Sequence, residues 1–163
     1  MLRPHGVGDL DASFALWSNP RTVEFISGKP SKRDEAWSRI LRYVGHWALL
    51  GFGYWAVEEK ASGRFIGDVG LADFKRAIEP SLEGIPEIGW ALDPAHHGKG
   101  YATEAVAAAL SWSDRNLDAP ATACIISPEN QASLRVAFKS GYVVWVQTTY
   151  NGHDTVMMRR DRR

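Results

Sequence analysis

The sequence has a single cysteine, Cys124, and no excess of charge of either sign. One cysteine excludes an internal disulfide and a cysteine-built metal site, and it is typical of a reducing compartment, so we expect a cytoplasmic protein. The 19 basic side chains are balanced by 19 acidic ones, which gives a formal net charge of zero. Because nucleic-acid binders need clustered Lys and Arg to displace phosphate counterions, we expect no nucleic-acid partner.

Long apolar runs are also missing. No segment approaches the about 18 consecutive apolar residues that a membrane span requires, and the opening MLRPHGVGDL lacks the apolar core of a signal peptide. We therefore expect no membrane association. What is present, 45% apolar residues and seven tryptophans in 163 residues, is typical of a globular protein, and we expect one domain over residues 1–163.

Two amphipathic helices are predicted in the first third of the chain. The first follows Asp9, which can cap it, and extends through Trp17. The second begins with a capping-box-like pattern at Ser31 and Asp34. Its predicted buried stripe consists of Trp37, Ile40, Leu41, Val44 and Ala48.

The middle of the chain is typical of β-structure. GYWAVEE and GRFIGDVGLADF predict a hairpin, the polar segment 75–86 a surface loop, and PEIGWALDP a further strand. Alternation along that strand predicts one bulky face and one open face that carries a carboxylate. These faces are Ile88, Trp90 and Leu92, and Glu87, Gly89 and Ala91, respectively.

The last third predicts four more elements. An alanine-rich helix ends near Asn116, PATACIIS is a strand, and Asn130 caps a helix that stops at Gly141. A hairpin that turns at Asn151 and Gly152 ends the chain. Together the patterns indicate a mixed α/β fold, in which a single layer of sheet carries helices on its faces.

The stretch AHHGKGYATEA, residues 95–105, joins the strand PEIGWALDP to the alanine-rich helix. A glycine-rich turn at a helix start presents unpaired backbone N–H groups and the positive end of the helix dipole, which favours an anion such as phosphate. The spacing fits neither a dinucleotide fingerprint, which would need glycine at Thr103, nor a P-loop. From this stretch alone, an anion site and a plain glycine turn both stay open.

Read with its neighbours, the chain resembles the GNAT superfamily of acetyl-coenzyme A dependent N-acetyltransferases. The resemblance rests on EIGWALDPAHHGKGYATEA, then a strand, then ENQASLRVAFKSGY, and it spans nearly the whole chain. It is strongest to the branch that acetylates protein N-terminal amines, including ribosomal-protein alanine acetyltransferases. It implies a single domain whose mostly antiparallel, twisted sheet has six to seven strands and helices on both faces.

The resemblance also implies acetyl-CoA as cofactor, with coenzyme A as product and no metal. The loop would bind the pyrophosphate through backbone N–H groups, although His97 departs from the Arg or Gln usual in the family, and its ring would add a slight pH dependence. A backbone N–H near Leu92 would donate to the thioester carbonyl. The expected cofactor-binding residues are Trp90, Leu92, His97, Gly98, Lys99, Gly100, Tyr101, Ala102, Thr103, Asn130 and Ser133.

Two residues are candidates for proton transfer. Glu87 is the leading base, because it lies on the small face of its strand and an α-amine needs only a weak base. The alternative for Glu87 is a structural carboxylate or ion-pair member. By resemblance, Ser133 would protonate the departing thiolate, since the tyrosine that other family members use corresponds to Ala137. Glu104 and Asp93 are better explained by a helix start and a turn.

The acceptor stays open between several interpretations. A protein N-terminal amine is expected, and the alternatives are a small-molecule amine (an aminoglycoside, a polyamine or an amino acid derivative) or a catalytically silent acyl-CoA sensor. We further hypothesise a hydrophobic acceptor slot built from Trp17, Trp37, Trp47 and Trp55. Cys124 is expected to be a buried, inert thiol, and the chain to be a monomer or a homodimer.

Overall fold

A seven-stranded sheet forms the centre of the computed structural model, which describes residues 1–163. The strands are β1 (Leu2–Arg3), β2 (Tyr54–Glu58), β3 (Phe65–Ala72), β4 (Glu87–Leu92), β5 (Ala121–Ile126), β6 (Val143–Tyr150) and β7 (His153–Asp161). Their spatial order is β1-β2-β3-β4-β5-β7-β6, and all neighbours are antiparallel except β4 and β5. The expected mixed, mostly antiparallel sheet is confirmed.

Five helices cover the sheet: α1 (Leu10–Trp17), α2 (Pro20–Val23), α3 (Arg33–Leu50), α4 (Tyr101–Asn116) and α5 (Gln131–Lys139). Ala91 of β4 is buried with α1, whereas its neighbour Leu92 is buried with α4. Because side chains alternate between the faces of a strand, α1 and α4 lie on opposite faces of the sheet. None of the helices is both long enough and apolar enough to cross a membrane.

The main core lies between the sheet and α4. On the helix it includes Ala105, Val106, Ala109 and Leu110, as the helical spacing predicts, and small residues there let α4 pack closely on the strands. Opposite them lie Val69 and Leu71 of β3 and Ile88 and Leu92 of β4. This packing fixes where α4 begins, and therefore where the glycine-rich loop lies.

The start and the buried stripe of α3 differ from the prediction. Lys32, not Ser31, is the N-cap, and its N–H donates to the Glu35 carboxylate at 2.8 Å. The buried stripe is Ala36, Ile40 and Tyr43, while Leu41 and Val44 are exposed. Both stripes have helical spacing. The stripe with Tyr43 is the buried one because the Tyr43 ring stacks on Tyr54 of β2 at 4.3 Å.

Three other features were not foreseen in the sequence. Strand β1 and helix α2 have two and four residues, which is too short for a periodic signal. Asp9 precedes α1 as expected, but its carboxylate makes no helix cap. It accepts hydrogen bonds from Arg3 and from the Gly6 N–H instead, because Arg3 in β1 lies within reach of it.

A second acidic side chain, Asp68 of β3, is fully buried without a cationic partner in hydrogen-bond contact. Trp17 Nε1 donates to Asp68 Oδ2 at 2.7 Å, and His5 Nε2 lies 3.3 Å from Asp68 Oδ1. Burial raises the pKa of Asp68 to about 7, although the Trp17 hydrogen bond opposes the shift. Burial likewise lowers the pKa of His5 to about 4, so the pair is uncharged over much of the acidic range.

This pair predicts a pH-dependent effect of Asp68→Asn on stability. A carboxyl group whose pKa is raised on folding stabilises the fold at low pH, and that contribution is lost as pH rises from about 4, its unfolded value, to about 7. Asparagine has no such loss and keeps an oxygen for Trp17. In thermal melts from pH 5 to pH 8, the Tm of Asp68→Asn should therefore rise relative to that of wild type as pH rises.

Asp9→Asn is the matched control. Burial alone would raise the pKa of Asp9, but the hydrogen bonds from Arg3 and the Gly6 N–H outweigh burial and lower it. Its stabilising contribution is complete above the unfolded pKa of about 4, so Asp9→Asn should destabilise the protein by the same amount throughout pH 5 to 8. A difference between Asp68→Asn and wild type that stays constant over this range would contradict the assignment.

Candidate active site

The loop between β4 and α4 carries a row of free backbone donors. The N–H of His97 donates to the Pro94 carbonyl at 3.3 Å, and the N–H of Glu104 donates to Gly100 in the first turn of α4. Between them, the N–H groups from Gly98 to Thr103 donate to no acceptor in the protein. Such a row at the start of a helix is the arrangement that binds anions, including the pyrophosphate of a nucleotide cofactor.

Gly98 and Gly100 are required by the backbone conformation of this loop. Their φ angles are 77° and 85°, in the left-handed region that favours glycine. A Cβ at either position would meet no atom within 4 Å, so the space beside both glycines is open. A phosphate group can therefore come close to the backbone at these two positions.

The other loop residues differ in exposure and in side-chain contacts. The Tyr101 hydroxyl donates to Glu59 at 2.7 Å, which directs its ring to the turn between β2 and β3. Lys99 is exposed and adds positive charge beside the free donors. Ala102 and Thr103 lie half-buried in the first turn of α4. Of the residues predicted for cofactor binding, those from His97 to Thr103 thus lie in this loop and in the first turn of α4.

His97 makes two contacts that the sequence did not indicate. Its backbone N–H donates to the Pro94 carbonyl at 3.3 Å, and its contact with an anion stays a prediction. The ring donates from Nε2 to the carbonyl oxygen of Leu92 at 2.9 Å. A carbonyl can only accept, so this nitrogen carries the proton. His97 thereby ties the loop to the last residue of β4.

Beside the loop, β4 and β5 separate from each other. Glu87 and Ala123 are the one pair in register, and the Ala123 N–H donates to the Pro86 carbonyl at 3.0 Å. Beyond this pair, β4 is in register with β3 alone. The gap opens toward the carboxyl ends of both strands, where the glycine-rich loop follows β4 and Asn130 follows β5.

Backbone groups of β4 point into this gap. The N–H of Asp93, directly after β4, donates to Ile66 of β3 at 2.9 Å. Because successive N–H groups of a strand point to opposite sides, those of Leu92 and Trp90 point away from β3 and toward β5. The donor that the resemblance implies near Leu92 therefore lies where β5 leaves it unpaired.

Asn130 and Ser133 form the start of α5 at the same end of the sheet. The Asn130 carboxamide oxygen accepts the Ser133 N–H at 3.0 Å, which confirms the predicted cap. The amide NH₂ of Asn130 is not used in this contact and stays available as a donor. Ala137, at the position of the family tyrosine, is fully buried in the main core.

Glu87 belongs to a buried ion pair. Arg76 donates from Nε to Glu87 Oε2 at 2.6 Å and from Nη2 to Oε1 at 2.9 Å. The guanidinium carbon lies 4.6 Å from the centroid of the Phe74 ring and 5.2 Å from that of Tyr150, and the Tyr150 hydroxyl accepts from Nη1 at 3.2 Å. The ion-pair interpretation of Glu87 is thus the observed one, and its role as base stays a prediction.

Arg76 and Tyr150 were missed by the sequence analysis. Arg76 lies in the segment 75–86, whose polar composition predicts a surface loop, and Tyr150 ends β6 far along the chain. Only the tertiary fold brings them to Glu87. A cavity of about 280 Å³ adjoins this cluster, and its walls include Phe74, Glu83 and Ile85.

The small face of β4 is covered, which contradicts the expected open face. Ala91 is buried against Leu16, Trp17 and Val23. The Tyr54 ring lies over Gly89, where a Cβ would collide with its hydroxyl. The predicted alternation along β4 is present, but α1, α2 and the Tyr54 side chain cover its small face.

Three of the four tryptophans of the hypothesised acceptor slot have core contacts instead. Trp17 is buried and bonded to Asp68. Trp47 and Trp55 pack edge to face with each other and with Trp112 of α4, at centroid distances of 4.9 to 5.3 Å. These rings fill the space between α3, β2 and α4, as side chains of a core do.

The remaining candidates have structural explanations. Asp93 accepts the Ala95 N–H in a turn, and Glu104 is exposed at the start of α4. Cys124 is buried in β5, and burial raises the pKa of its thiol far above the ordinary value, so it is a thiol and not a nucleophilic thiolate. No three His, Cys, Asp or Glu side chains are placed to hold a metal ion.

Comparison with known proteins gives the family. Residues 1–143 match the acetyltransferase (GNAT) domain. The uncharacterized protein YkkB of Bacillus subtilis is 32% identical over 131 residues, which are 77% of this chain and 70% of that protein. A GnaT-family acetyltransferase from Bordetella pertussis has the same fold, with a TM-score of 0.85 and 27% identity over 98% of this chain and 93% of its own.

Structures named for different acceptors are similar to this chain to about the same degree. The ribosomal-protein-S5-alanine acetyltransferase of Vibrio fischeri has a TM-score of 0.77 at 19% identity, covering 99% of this chain and 92% of its own. The spermidine N-acetyltransferase of Vibrio cholerae, in complex with CoA and spermine, also has 0.77, at 23% identity and with 99% and 95% covered. The resemblance to the ribosomal-protein branch is therefore one of several.

These comparisons and the geometry agree. The loop of free donors follows the strand that separates from its parallel neighbour, and both lie within the 143 residues that match. Because the match covers most of the chain and a curated relative exceeds 30% identity, the chain belongs to the GNAT family and is an acetyl-CoA dependent N-acetyltransferase.

Proposed function

We propose that the protein transfers the acetyl group of acetyl-CoA directly to a primary amine, and that this amine is the N-terminus of a protein or peptide. The observation that carries the proposal is the position of the free N–H row from Gly98 to Thr103 directly beside the gap between β4 and β5. An anionic cofactor held by the loop has one adjacent place for a linear, amide-bearing arm, and that place is the gap.

Different residues of the chain bind different parts of acetyl-CoA. Bound acetyl-CoA supplies an acetyl group activated as a thioester. The N–H groups from Gly98 to Thr103 bind the pyrophosphate, and Lys99 adds charge. The N–H groups of Trp90 and Leu92, with the amide NH₂ of Asn130, donate to the arm. Orientation of this kind supplies much of the acceleration in a transfer between two bound groups.

Proton transfer is assigned to Glu87 and Ser133. Each Glu87 oxygen accepts one hydrogen bond from Arg76 and keeps a second lone pair, which can accept a proton from the attacking amine directly or through water. An α-amine with a pKa of about 8 is partly neutral already, so a weak base is sufficient. Ser133 Oγ is the proposed proton donor on the leaving side.

The cavity beside Glu87 supports a chain end as acceptor. At about 280 Å³ it is smaller than the about 300–1,000 Å³ of sites that enclose a drug-sized ligand. It has room for the amine-bearing end of an acceptor, and its walls come from the surface segment 73–85, past which a peptide can leave to solvent. The same volume also fits a small amino acid derivative, which is the second candidate.

We further propose that residues 1–163 act as one domain in the cytoplasm, as a monomer or a homodimer. The strands of the sheet come from both ends of the chain, with β1 at residues 2–3 and β7 ending at Asp161. A cut between them would expose the core that they share.

The first prediction concerns Gly100→Ala. A side chain at φ 85° is strained, so the loop must rearrange and the row of donors is lost. The dissociation constant for coenzyme A, measured by calorimetry, should rise at least about tenfold, as expected for loss of one or two charge-assisted hydrogen bonds. Gly51→Ala is the control, since Gly51 has φ 72° and open space but ends α3. Equal affinity for both variants would exclude the loop.

The second prediction concerns the acceptor. Thiol release from acetyl-CoA should rise on addition of peptides with free N-termini, and N-terminally blocked copies of the same peptides should be inert. A polyamine, an aminoglycoside and free amino acid derivatives form the comparison set. Turnover with blocked peptides or only with the small amines would reject the N-terminal acceptor. Tight coenzyme A binding with no turnover of any amine would indicate a sensor.

The third prediction concerns Glu87→Gln. Glutamine keeps the size and one acceptor for Arg76 but is not a base, so kcat/KM should fall about 10²-fold or more, as is typical when a general base is removed. The loss should shrink as pH rises past the pKa of the amine, because more of the acceptor is then neutral. Asp118→Asn, an exposed carboxylate paired with Arg162, is the control. A rate unchanged across pH would remove Glu87 as base.

A further inference from the structure

Tyr54 and two glycines form a row across three strands. In register, Tyr54 of β2 lies opposite Gly70 of β3, and Gly70 lies opposite Gly89 of β4. A Cβ at Gly70 would collide with the Cα and the ring of Tyr54, and a Cβ at Gly89 would collide with its hydroxyl. The ring therefore lies flat over both glycines, and it carries the phenol oxygen from β2 to β4.

The rest of the environment fixes this ring in place. Tyr43 of α3 stacks on it at 4.3 Å with an interplanar angle of 3°, and Tyr54 is only 7% exposed. Its backbone carbonyl accepts the indole N–H of Trp47 at 3.0 Å. The hydroxyl itself makes no hydrogen bond within the protein, and its oxygen is not fully buried, so it is open to water or to a ligand.

The hydroxyl lies next to the candidate base. Gly89 and Glu87 are two residues apart on β4, so they share one face of the strand, and Glu87 in turn lines the cavity. The N–H groups of Trp90 and Leu92 instead point along the sheet into the gap. The cofactor arm and the phenol oxygen thus reach β4 from different directions.

We propose that Tyr54 is an acceptor-binding residue whose hydroxyl oxygen accepts a hydrogen bond from the N–H of the attacking amine and so positions its nitrogen. The inference rests on the proposed amine acetylation, but it holds for any primary amine. Burial, and after it the Glu87 carboxylate, raise the pKa of Tyr54 well above its ordinary value, so the group is a neutral hydroxyl throughout the working range. A neutral hydroxyl can accept from the amine and donate to water or carboxylate at the same time.

The test compares Tyr54→Phe with Tyr43→Phe, which removes a hydroxyl from the other ring of the same stack. Aminolysis of acetyl-CoA should fall about 10- to 100-fold in Tyr54→Phe, the range for a hydrogen bond to a group that becomes charged. The slow hydrolysis of acetyl-CoA and the affinity for coenzyme A should be unchanged, since neither involves the amine. Tyr43→Phe should match wild type in all three.

Hydroxylamine is included as a minimal amine beside the peptides and small amines. If wild type accepts hydroxylamine but no peptide, the peptide acceptor is rejected while Tyr54 is still tested. Unchanged aminolysis of hydroxylamine in Tyr54→Phe would overturn the inference. An equal fall of aminolysis and hydrolysis would also overturn it, because the hydroxyl would then act on the thioester and not on the amine.

A stability measurement tests the placement without any turnover. Gly89→Ala should lower Tm in wild type, because the new methyl group collides with the hydroxyl, but much less in Tyr54→Phe, where the nearest remaining ring atom is 3.3 Å away. The double variant Gly89→Ala/Tyr54→Phe should therefore have a higher Tm than Gly89→Ala alone, but no higher rate of aminolysis. An equal loss of Tm in both backgrounds would show that the hydroxyl does not lie over Gly89 and would overturn the inference.

Discussion

A parallel pair of strands that separates after its first residues leaves backbone donors and acceptors without partners, and a buried polar group without a partner is unfavourable. In this protein that separation begins directly after Glu87 and Ala123. Pairing with β3 holds β4 along its whole length, and pairing with β7 does the same for β5, so neither strand can move across to close the gap. The unpaired groups of β4 are thereby preserved for a ligand.

The other parts of the site are arranged around this gap. His97 donates to the Leu92 carbonyl of β4 and so anchors the loop of free N–H groups at the open end of the gap. At the closed end, Arg76 binds Glu87 and is itself held by Phe74 and Tyr150. On the face above the gap, the Tyr54 ring crosses β3 only because Gly70 has no side chain.

Glu87 and Asp68 are buried carboxylates on the same face of the sheet, and their environments differ. Glu87 has a bidentate guanidinium partner. Asp68 has only an indole N–H and a nearby histidine, and its pKa is raised to about 7 by burial. The paired carboxylate stays available as an acceptor, whereas the unpaired one keeps its proton until pH rises to about 7.

Local signals in the sequence were sufficient for most of the elements and for the loop. Asn130 is predictable because a cap acts on its own next residues, whereas the glycines at 98 and 100 indicated an anion site only when they were read with the neighbouring motifs. Hydrophobic period located α4 and its buried residues correctly. The same signal failed for α3, where two stripes have helical spacing and a contact with β2 selects one.

What the sequence by itself determined is thus the set of features whose causes lie within a few residues: most of the strands in their order along the chain, the Asn130 cap and the left-handed glycines. The tertiary structure alone decided the partners. Arg76 reaches Glu87 from a polar loop, Tyr54 reaches Gly89 across two strands, and α1 covers a face that alternation leaves open. The physical reason is that these contacts join segments far apart in the chain, so no local preference encodes them and only the packing of the whole sheet brings them together.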